Sequence, residues 1–255
     1  MMNLVNLEGR RTIVAGGASG AGEAAVDAFL AAGAKVVSLD IQPGPKDGER
    51  PADRFLALAC DVSSKEQVDT CFAQALAFLG GLDALCNPAG ITGRLPAEDI
   101  GEADMRRIFE INVLGTMFTN QAAFQAMKEK GGSIINFSSI SGVRGQTQRA
   151  HYCATKGAVA AWTRAVAMDW AQYNIRVNAI APMIYTPIVD RVRAALPEDQ
   201  RAAFEKSIGS QQRLPGGLRG PDTLGPMLTL LASDGADYMT GQTISLDGGV
   251  CMLGS

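Results

Sequence analysis

A tyrosine and a lysine four positions apart are the most informative pair of reactive side chains in the sequence. They lie in the string Tyr152-Cys153-Ala154-Thr155-Lys156. On a helix this spacing puts Tyr152 and Lys156 on one face, with Cβ atoms about 5–6 Å apart. A nearby ammonium favours the phenolate form, so the pair predicts a tyrosine of lowered pKa that acts as a general acid or base. Because Tyr-x-x-x-Lys is common by chance, the motif alone fits an amphipathic, solvated helix at least as well.

A serine upstream of this pair could orient the substrate for proton transfer. Ser139 lies thirteen residues before Tyr152, at the end of the apolar run Ile134–Ser138. Its hydroxyl could donate a hydrogen bond to a substrate oxygen. The three side chains together suggest proton transfer at a hydroxyl or carbonyl oxygen.

The first apolar run leads into a glycine-rich turn with the spacing Gly-x-x-x-Gly-x-Gly. It comprises Gly16, Ser19, Gly20, Ala21 and Gly22 and is followed at once by a helical pattern. Glycines permit a tight turn and a close approach to a pyrophosphate, and the helix N-terminus attracts the anion. In the order strand, loop and helix, this pattern favours a dinucleotide site over an ordinary glycine turn.

An aspartate at the end of the second apolar run indicates which dinucleotide would bind. Asp40 lies eighteen residues after Gly22 and is followed by Ile41, and the glycine loop contains no Lys or Arg. A carboxylate there can accept hydrogen bonds from the ribose hydroxyls and would repel a 2′-phosphate. The pattern therefore favours NAD over NADP, although a surface aspartate at the start of a loop is the alternative. The positive nicotinamide of NAD would join Lys156 in favouring the Tyr152 phenolate.

Alternating strand and helix patterns would position these residues. The predicted strands are Thr12–Ala15, Lys35–Leu39, Phe55–Ala59, Leu82–Asn87, Ser133–Ser138, Arg176–Ile180 and Thr243–Leu246. The predicted helices are Gly22–Ala32, Lys65–Leu79, Asp104–Lys128, Tyr152–Gln172 and Asp222–Ala232. The alternation predicts an α/β, Rossmann-like, doubly wound parallel sheet of about seven strands with helices on both faces. We expect one domain over residues 1–255, with the segment from Pro182 to Pro221 forming loops and a mobile substrate lid at about 183–214.

Composition argues against several other classes of protein. The chain has 255 residues, 47% of them hydrophobic, and a formal net charge of −3, which gives no support to binding of nucleic acid or of an anionic membrane. No apolar run approaches the ~18 residues of a membrane helix, and the N-terminus has no apolar signal core. Five cysteines without a Cys-x-x-Cys motif and a single histidine predict neither a metal site nor a disulfide framework. A cytoplasmic location is the expectation.

From the glycine loop to Asp247-Gly248-Gly249, the chain resembles the short-chain dehydrogenase/reductase family. The resemblance implies that Tyr152 and Lys156 are the catalytic pair and that Ser139, rather than Ser138, is the catalytic serine. It further implies that Asn112, in Ile111-Asn112-Val113, helps to hold a water that links Lys156 to solvent as a proton relay. From the residues alone, Asn112 is only a polar side chain in the middle of a helix.

The resemblance also supplies cofactor contacts. It implies that Asp61, followed by Val62, contacts the adenine amino group, that Asn87-Pro88-Ala89-Gly90 lines the cofactor cleft, and that Pro182, Ile184 and Thr186 lie at the nicotinamide end. The family normally has a glycine after Pro182, and this chain lacks it. The turn should therefore differ there, which makes Ile184 and Thr186 the least secure of these assignments.

Substrate selection is expected from the loops 92–97 and 140–150 and from the lid. Met183, Tyr185 and Val189 predict an apolar pocket wall, although they could equally pack the lid onto the core. Arg144, with Arg94 and Arg149, could select an anionic group, a second-choice hypothesis because surface arginines are common. His151 and Cys153 flank Tyr152 and should point away from its face.

The sequence thus predicts an NAD(H)-dependent oxidoreductase that interconverts a secondary alcohol and its ketone by direct hydride transfer, with Tyr152 as general acid or base. An NADP-linked carbonyl reductase and a dinucleotide-binding protein without catalysis are the alternatives. The family resemblance implies a homotetramer with Asp104–Lys128 and Tyr152–Gln172 at its interfaces.

Overall fold

A seven-stranded parallel sheet forms the centre of the molecule. The structure is a computed structural model that describes residues 5–251, apart from the side chains at 187, 188, 191, 195 and 206–209. The strands are β1 (Arg11–Ala15), β2 (Lys35–Asp40), β3 (Phe55–Ala59), β4 (Ala84–Asn87), β5 (Gly132–Phe137), β6 (Ile175–Pro182) and β7 (Thr243–Leu246). Their order is β3-β2-β1-β4-β5-β6-β7. All six pairings are parallel. The predicted doubly wound parallel sheet is confirmed.

Eight helices connect these strands within the described part of the chain. They are α1 (Gly20–Ala31), α2 (Lys65–Leu79), α3 (Glu102–Phe109), α4 (Gly115–Met127), α5 (Ala150–Trp170), α6 (Pro187–Ala195), α7 (Glu198–Gly209) and α8 (Gly225–Ala232). Neighbouring strand residues point to opposite faces of the sheet, so each face has its own core. Ile13 packs with α2, α4 and α5, whereas Val14 packs with α1 and α8.

The sheet order places a binding crevice between β1 and β4. The chain leaves β1 towards β2 and β3 on one side, then returns to β4 on the other side. The loops after β1 and β4 therefore run in opposite directions and open a crevice at their carboxyl ends, where ligands of open α/β sheets bind. Both strands are almost wholly buried, which fixes these two loops on a rigid support.

Two segments differ from the prediction. The single helix predicted over Asp104–Lys128 is divided into α3 and α4 by a π-helical turn at Glu110–Leu114. Hydrophobic spacing does not reveal such a turn because the wider turn keeps the chain helical on both sides. The stretch expected to be loops and a lid contains the helices α6 and α7. Acidic residues in the first turn of α7, Glu198 and Asp199, are a helix-start signal that could have indicated it.

Candidate active site

A cavity of about 1600 Å³ lies at the carboxyl ends of the strands. Of the predicted catalytic residues, Ser139, Tyr152 and Lys156 line it. The predicted cofactor residues that line it are Gly16, Ser19, Gly20, Ala21, Gly22, Asp40, Ile41, Asp61, Val62, Ala89, Gly90, Pro182, Ile184 and Thr186, again with Tyr152 and Lys156. The fold thus brings the glycine loop, the acidic end of β2 and the predicted catalytic side chains to one cavity.

Ser139 is held by the short 3-10 turn that follows β5, Ile140–Gly142. Its Oγ accepts a hydrogen bond from the Ser141 amide at 3.1 Å and lies 3.2 Å from the Ser141 hydroxyl. That hydroxyl in turn donates to Gln146 Oε1 at 2.8 Å. Ser141 and Gln146 also line the cavity; both lie in the loop 140–150 predicted to select the substrate, although the sequence singles out neither. These bonds fix the direction of the Ser139 hydroxyl, which also forms a hydrogen bond with Tyr152.

Close packing between the same 3-10 turn and α5 sets the position of the lysine. A Cβ added at Gly142 would lie 2.5 Å from the Lys156 carbonyl carbon, so only a glycine lets the turn approach this closely. Ser138 donates to the Lys156 carbonyl at 2.9 Å, which gives it a packing role behind the site. The Lys156 Nζ donates to the Phe137 carbonyl at 2.7 Å, and burial lowers the pKa of this lysine to about 8.

The tyrosine does not have the lowered pKa that the sequence predicted. Burial raises the pKa of Tyr152, and the hydrogen bond with Ser139 and the charge of Arg149 oppose that shift. Lys156 directs its ammonium at the Phe137 carbonyl and lies 6.0 Å from the centre of the Tyr152 ring. The groups of the protein alone therefore keep the phenol protonated, and its acidification depends on further positive charge in the site.

Asn112 lies behind the cavity wall, in the π-helical turn between α3 and α4. Its Oδ1 accepts from the Ile91 amide at 2.8 Å, and its Nδ2 donates to the Ile91 carbonyl at 2.9 Å and to Thr155 Oγ1 at 3.1 Å. Thr155 donates to the Tyr152 carbonyl at 2.8 Å. The amide thus joins the loop after β4 to the turn of α5 that carries the tyrosine. The predicted relay role of Asn112 stays a prediction beside this observed positioning.

The glycine loop is packed too tightly at Gly16 and Gly22 for any side chain at these two positions. A Cβ at Gly22 would lie 1.8 Å from the Gly16 carbonyl oxygen, and one at Gly16, where φ is +85°, would lie 2.7 Å from the Ala89 backbone. The loop leads directly into α1, whose N-terminal residues Gly20 and Ala21 line the cavity. A pyrophosphate suits this site because backbone N–H groups and the positive end of the helix dipole attract it.

Asp40 connects the end of β2 to the glycine loop. Its Oδ2 accepts from the Ala18 amide at 3.0 Å, and the carboxylate lines the cavity. The nearby cations face other partners: Lys46 pairs with Glu23 and Asp27. Arg50 pairs with Asp27 and Asp47. A carboxylate that forms no ion pair with the described residues and keeps acceptor capacity fits an unphosphorylated ribose.

Two predicted site residues lie elsewhere. Asn87 is buried behind the wall, where its Nδ2 donates to Thr119 Oγ1 at 2.8 Å, because the last residue of β4 points into the core beneath α4. Tyr185 lies at the surface beside α6, and its hydroxyl donates to Asp190. Asn87 therefore supports the cavity from behind, and Tyr185 belongs to the outer side of the lid.

Helices α6 and α7 and the residues beside them form an apolar wall of the cavity. Met183, Ile184 and Val189 line the cavity as predicted. The wall also contains apolar residues that were not predicted individually: Val192, Leu196, Ala203, Phe204 and Leu218. Val189, Val192 and Leu196 are spaced i, i+3 and i+7, as on one face of a helix. This spacing could have identified Val192 and Leu196 from the sequence.

The other predicted substrate-side residues have defined contacts. Arg144 lines the cavity and donates to Gln211 Oε1 at 3.0 Å, which connects the loop after β5 to the lid. His151 is buried, and its ring leaves no room for a Cβ at Gly93, the nearest ring atom lying 2.1 Å from the position that Cβ would take. Cys153 is partly buried.

Within the described residues, no group of three or more His, Cys, Asp or Glu side chains is arranged to hold a metal ion. No helix in this part of the chain is long and apolar enough to cross a membrane.

Comparisons with known proteins agree with this geometry. A family model described as enoyl-(acyl carrier protein) reductase matches residues 16–251. An L-fucose dehydrogenase of Oryctolagus cuniculus is 36% identical over 244 residues, covering 94% of this chain and 84% of the relative. An NAD-dependent glycerol dehydrogenase of Listeria innocua is 32% identical over 250 residues, covering 96% and 94%.

A solved structure is similar over nearly the same range. The crystal structure of levodione reductase superposes with a TM-score of 0.89 at 28% identity, covering 96% of this chain and 98% of that one. These similarities extend over almost the entire sequence. They agree with the arrangement of Ser139, Tyr152 and Lys156 and with the glycine loop described above. The chain belongs to the short-chain dehydrogenase/reductase family of oxidoreductases.

Proposed function

We infer that this protein is an NAD(H)-dependent oxidoreductase that interconverts a secondary alcohol and its ketone, with Tyr152 as the general acid or base. One observation carries the proposal: Ser139, Tyr152 and Lys156 share a cavity with the glycine loop and Asp40. When bound, NAD would supply the nicotinamide that accepts or donates the hydride.

The preference for NAD over NADP rests on charge around Asp40. This carboxylate can accept hydrogen bonds from ribose hydroxyls, and it would repel a 2′-phosphate at the same place. Lys46 and Arg50, the cations that follow it in the chain, are engaged by acidic partners. The name of the Listeria relative, an NAD-dependent glycerol dehydrogenase, supports the same preference.

The three side chains Ser139, Tyr152 and Lys156 have separate roles in proton transfer. In alcohol oxidation the substrate C–H bond breaks with loss of a hydride, and the O–H proton passes to the Tyr152 phenolate. In ketone reduction the phenol returns that proton to the carbonyl oxygen. Ser139 donates a hydrogen bond to the same oxygen, and Lys156 holds the cofactor ribose and adds positive charge. We also propose that Asn112 sustains proton exchange with solvent.

Because burial raises the pKa of Tyr152, we expect opposite pH trends in the two directions. Oxidation needs the phenolate and should rise as the pH increases, whereas reduction needs the phenol and should fall in that range. A small alcohol or ketone is the proposed substrate, in agreement with the L-fucose and levodione named for the relatives. Its body would pack on the apolar wall near Met183 and Val189.

Replacement of the tyrosine tests this proposal directly. For Tyr152→Phe we expect turnover to fall by about 10²–10⁴-fold, because the acid or base is lost, while NADH affinity changes little. A sweep of alcohols and ketones, followed at the nicotinamide absorbance, provides the substrate, and NADH fluorescence titration provides the affinity. Tyr185→Phe is the matched control, since that phenol lies at the surface. Turnover close to wild type in Tyr152→Phe would reject the assignment.

We further propose that residues 1–255 act as one domain in a homotetramer. Apolar side chains exposed on the predicted interface helices support this: Met105 is 40%, Leu114 40% and Met168 82% exposed. Sedimentation analysis that gives a monomer at micromolar concentration would contradict it.

A further inference from the structure

The charged residues around the cavity are unevenly distributed. Asp40, the last residue of β2, and Asp61, which follows β3, are the acidic residues among the described lining residues, and both lie on the proposed cofactor side. The remaining charged lining residues are all cationic: Arg94, Arg107, Arg144, Arg149 and Lys156. Because Lys156 is proposed to hold the cofactor ribose, the four arginines are the charged lining residues that the proposed cofactor contacts do not include.

Arg149 differs from two other arginines near the catalytic residues. Arg94 donates to the side chain of Gln148 at 3.0 Å, and Arg144 donates to Gln211 and to the Val250 carbonyl. The Arg149 guanidinium makes no hydrogen bond or ion pair with any residue that the structure describes, although it is half-buried. A partly desolvated guanidinium without a partner is unfavourable, so an anionic ligand would satisfy it.

The position of Arg149 is fixed relative to the catalytic tyrosine. It is the N-cap residue of α5, three residues before Tyr152, and its charge acts on that phenol. The preceding residue, Gln148, has a left-handed φ of 61°, and its carbonyl accepts from the Leu95 amide at 2.8 Å. A strained non-glycine residue tied to a neighbouring loop indicates a backbone held in place for function.

We propose that Arg149 binds a carboxylate of the substrate, carried on the same apolar body whose hydroxyl or ketone faces Ser139 and Tyr152. The substrate class is a hydroxy acid, or the corresponding keto acid, with a hydrocarbon body. The planar guanidinium fork binds a carboxylate through two parallel hydrogen bonds. The apolar residues Val189 and Phe204, on the lid helices, would cover the hydrocarbon. This inference rests on the proposed alcohol–ketone chemistry.

Matched substrates separate the charge from the shape. A panel of cyclic hydroxy acids, each paired with its primary amide, is oxidised with NAD, and the acid-to-amide ratio of kcat/KM is measured. We expect a ratio of about 10–100 in the wild type, because hydrogen bonds between charged groups are worth more than neutral ones. In Arg149→Gln the ratio should fall to near one, and Arg149→Lys should recover part of it. Arg107→Gln, which removes another lining arginine, should keep the wild-type ratio.

A second readout does not depend on turnover. Cyclohexanecarboxylate should raise the thermal unfolding temperature of the wild-type protein with NADH more than cyclohexanecarboxamide does, and Arg149→Gln should lose this difference. A wild-type ratio near one, or an equal loss in Arg107→Gln or Arg144→Gln, would overturn the assignment to Arg149. Oxidation of neutral alcohols alone would overturn the inference and leave the proposed function intact. Absence of any turnover, with the carboxylate still bound through Arg149, would reject the proposed function only.

Discussion

The cavity has two parts that are built in different ways. We call the part formed by the glycine loop and Asp40 the cofactor half, and the part formed by the loop after β5 and the lid the substrate half. In the cofactor half, main-chain bonds join neighbouring strand exits: the Gly16 amide donates to Leu39 at 2.6 Å and the Ala89 amide to Ala15 at 2.8 Å. The substrate half is joined through surface segments: an exposed side-chain bond from Arg144 to Gln211 connects the loop after β5 to the lid, and the Tyr185 amide donates to the Arg219 carbonyl at 2.7 Å.

This difference shows where the molecule tolerates change. Backbone positions in the cofactor half are set by the sheet and by contacts too close for any side chain, so one added methyl group is costly. The substrate half relies on surface helices and exposed polar pairs, each of which contributes little to stability. We therefore expect mutations in the cofactor half to have large effects and many mutations on the outside of the lid to have small ones.

The largest effect is expected for Gly22→Ala. The added Cβ would lie 1.8 Å from the Gly16 carbonyl, and the loop would have to move at a cost of about 3 kcal/mol. We expect NADH affinity to fall about 100-fold, measured by fluorescence titration. Gly48→Ala is the control, because nothing lies within 4 Å of a Cβ there. Equal affinities in the two variants would show that close packing of the loop is unimportant.

The second largest effect is expected on the pH dependence of stability and comes from Lys156, which lies between the two halves. Its pKa of about 8 is below the ordinary 10.5. Between these pH values the unfolded chain holds a proton that the folded protein has released, so the unfolding free energy gains about 3 kcal/mol as the pH rises. Lys156→Met should lack this gain, which urea unfolding at several pH values measures. Parallel pH curves for the two proteins would show that the lysine is not desolvated.

A smaller change is expected for Asp40→Asn, which keeps the shape of the side chain and removes its charge. Loss of the repulsion towards a 2′-phosphate should lower the preference for NAD over NADP by about tenfold, or about 1.4 kcal/mol. Titration with both reduced cofactors gives the ratio. If the ratio stays as in the wild type, the charge of Asp40 does not select the cofactor.

The smallest effect is expected for Tyr185→Phe. The hydroxyl is at the surface and donates to Asp190, so its removal should change kcat/KM by less than about twofold. Steady-state kinetics with the best alcohol in the panel is the measurement. A loss of tenfold or more would return Tyr185 to the substrate site and weaken the contrast between the two halves.

Most of the cofactor half could be predicted because its signals are local. The spacing of Gly16, Gly20 and Gly22 and the position of Asp40 at a strand end follow directly from the sequence. Parallel strands end at one edge of the sheet, so residues just after them must meet there. The spacing of Tyr152 and Lys156 likewise needs only a helix.

The sequence by itself therefore determined the parallel sheet, the glycine loop and the spacing of Tyr152 and Lys156 on one helix face. Tertiary structure alone decided that Asn112 sits behind the wall, that burial dominates the pKa of Tyr152, and that Arg149 lines the cavity with no partner among the described residues. These properties depend on desolvation and on contacts between segments far apart in the chain. Local patterns fix how a segment folds, whereas the neighbours it meets set the charge and hydrogen bonding of each side chain.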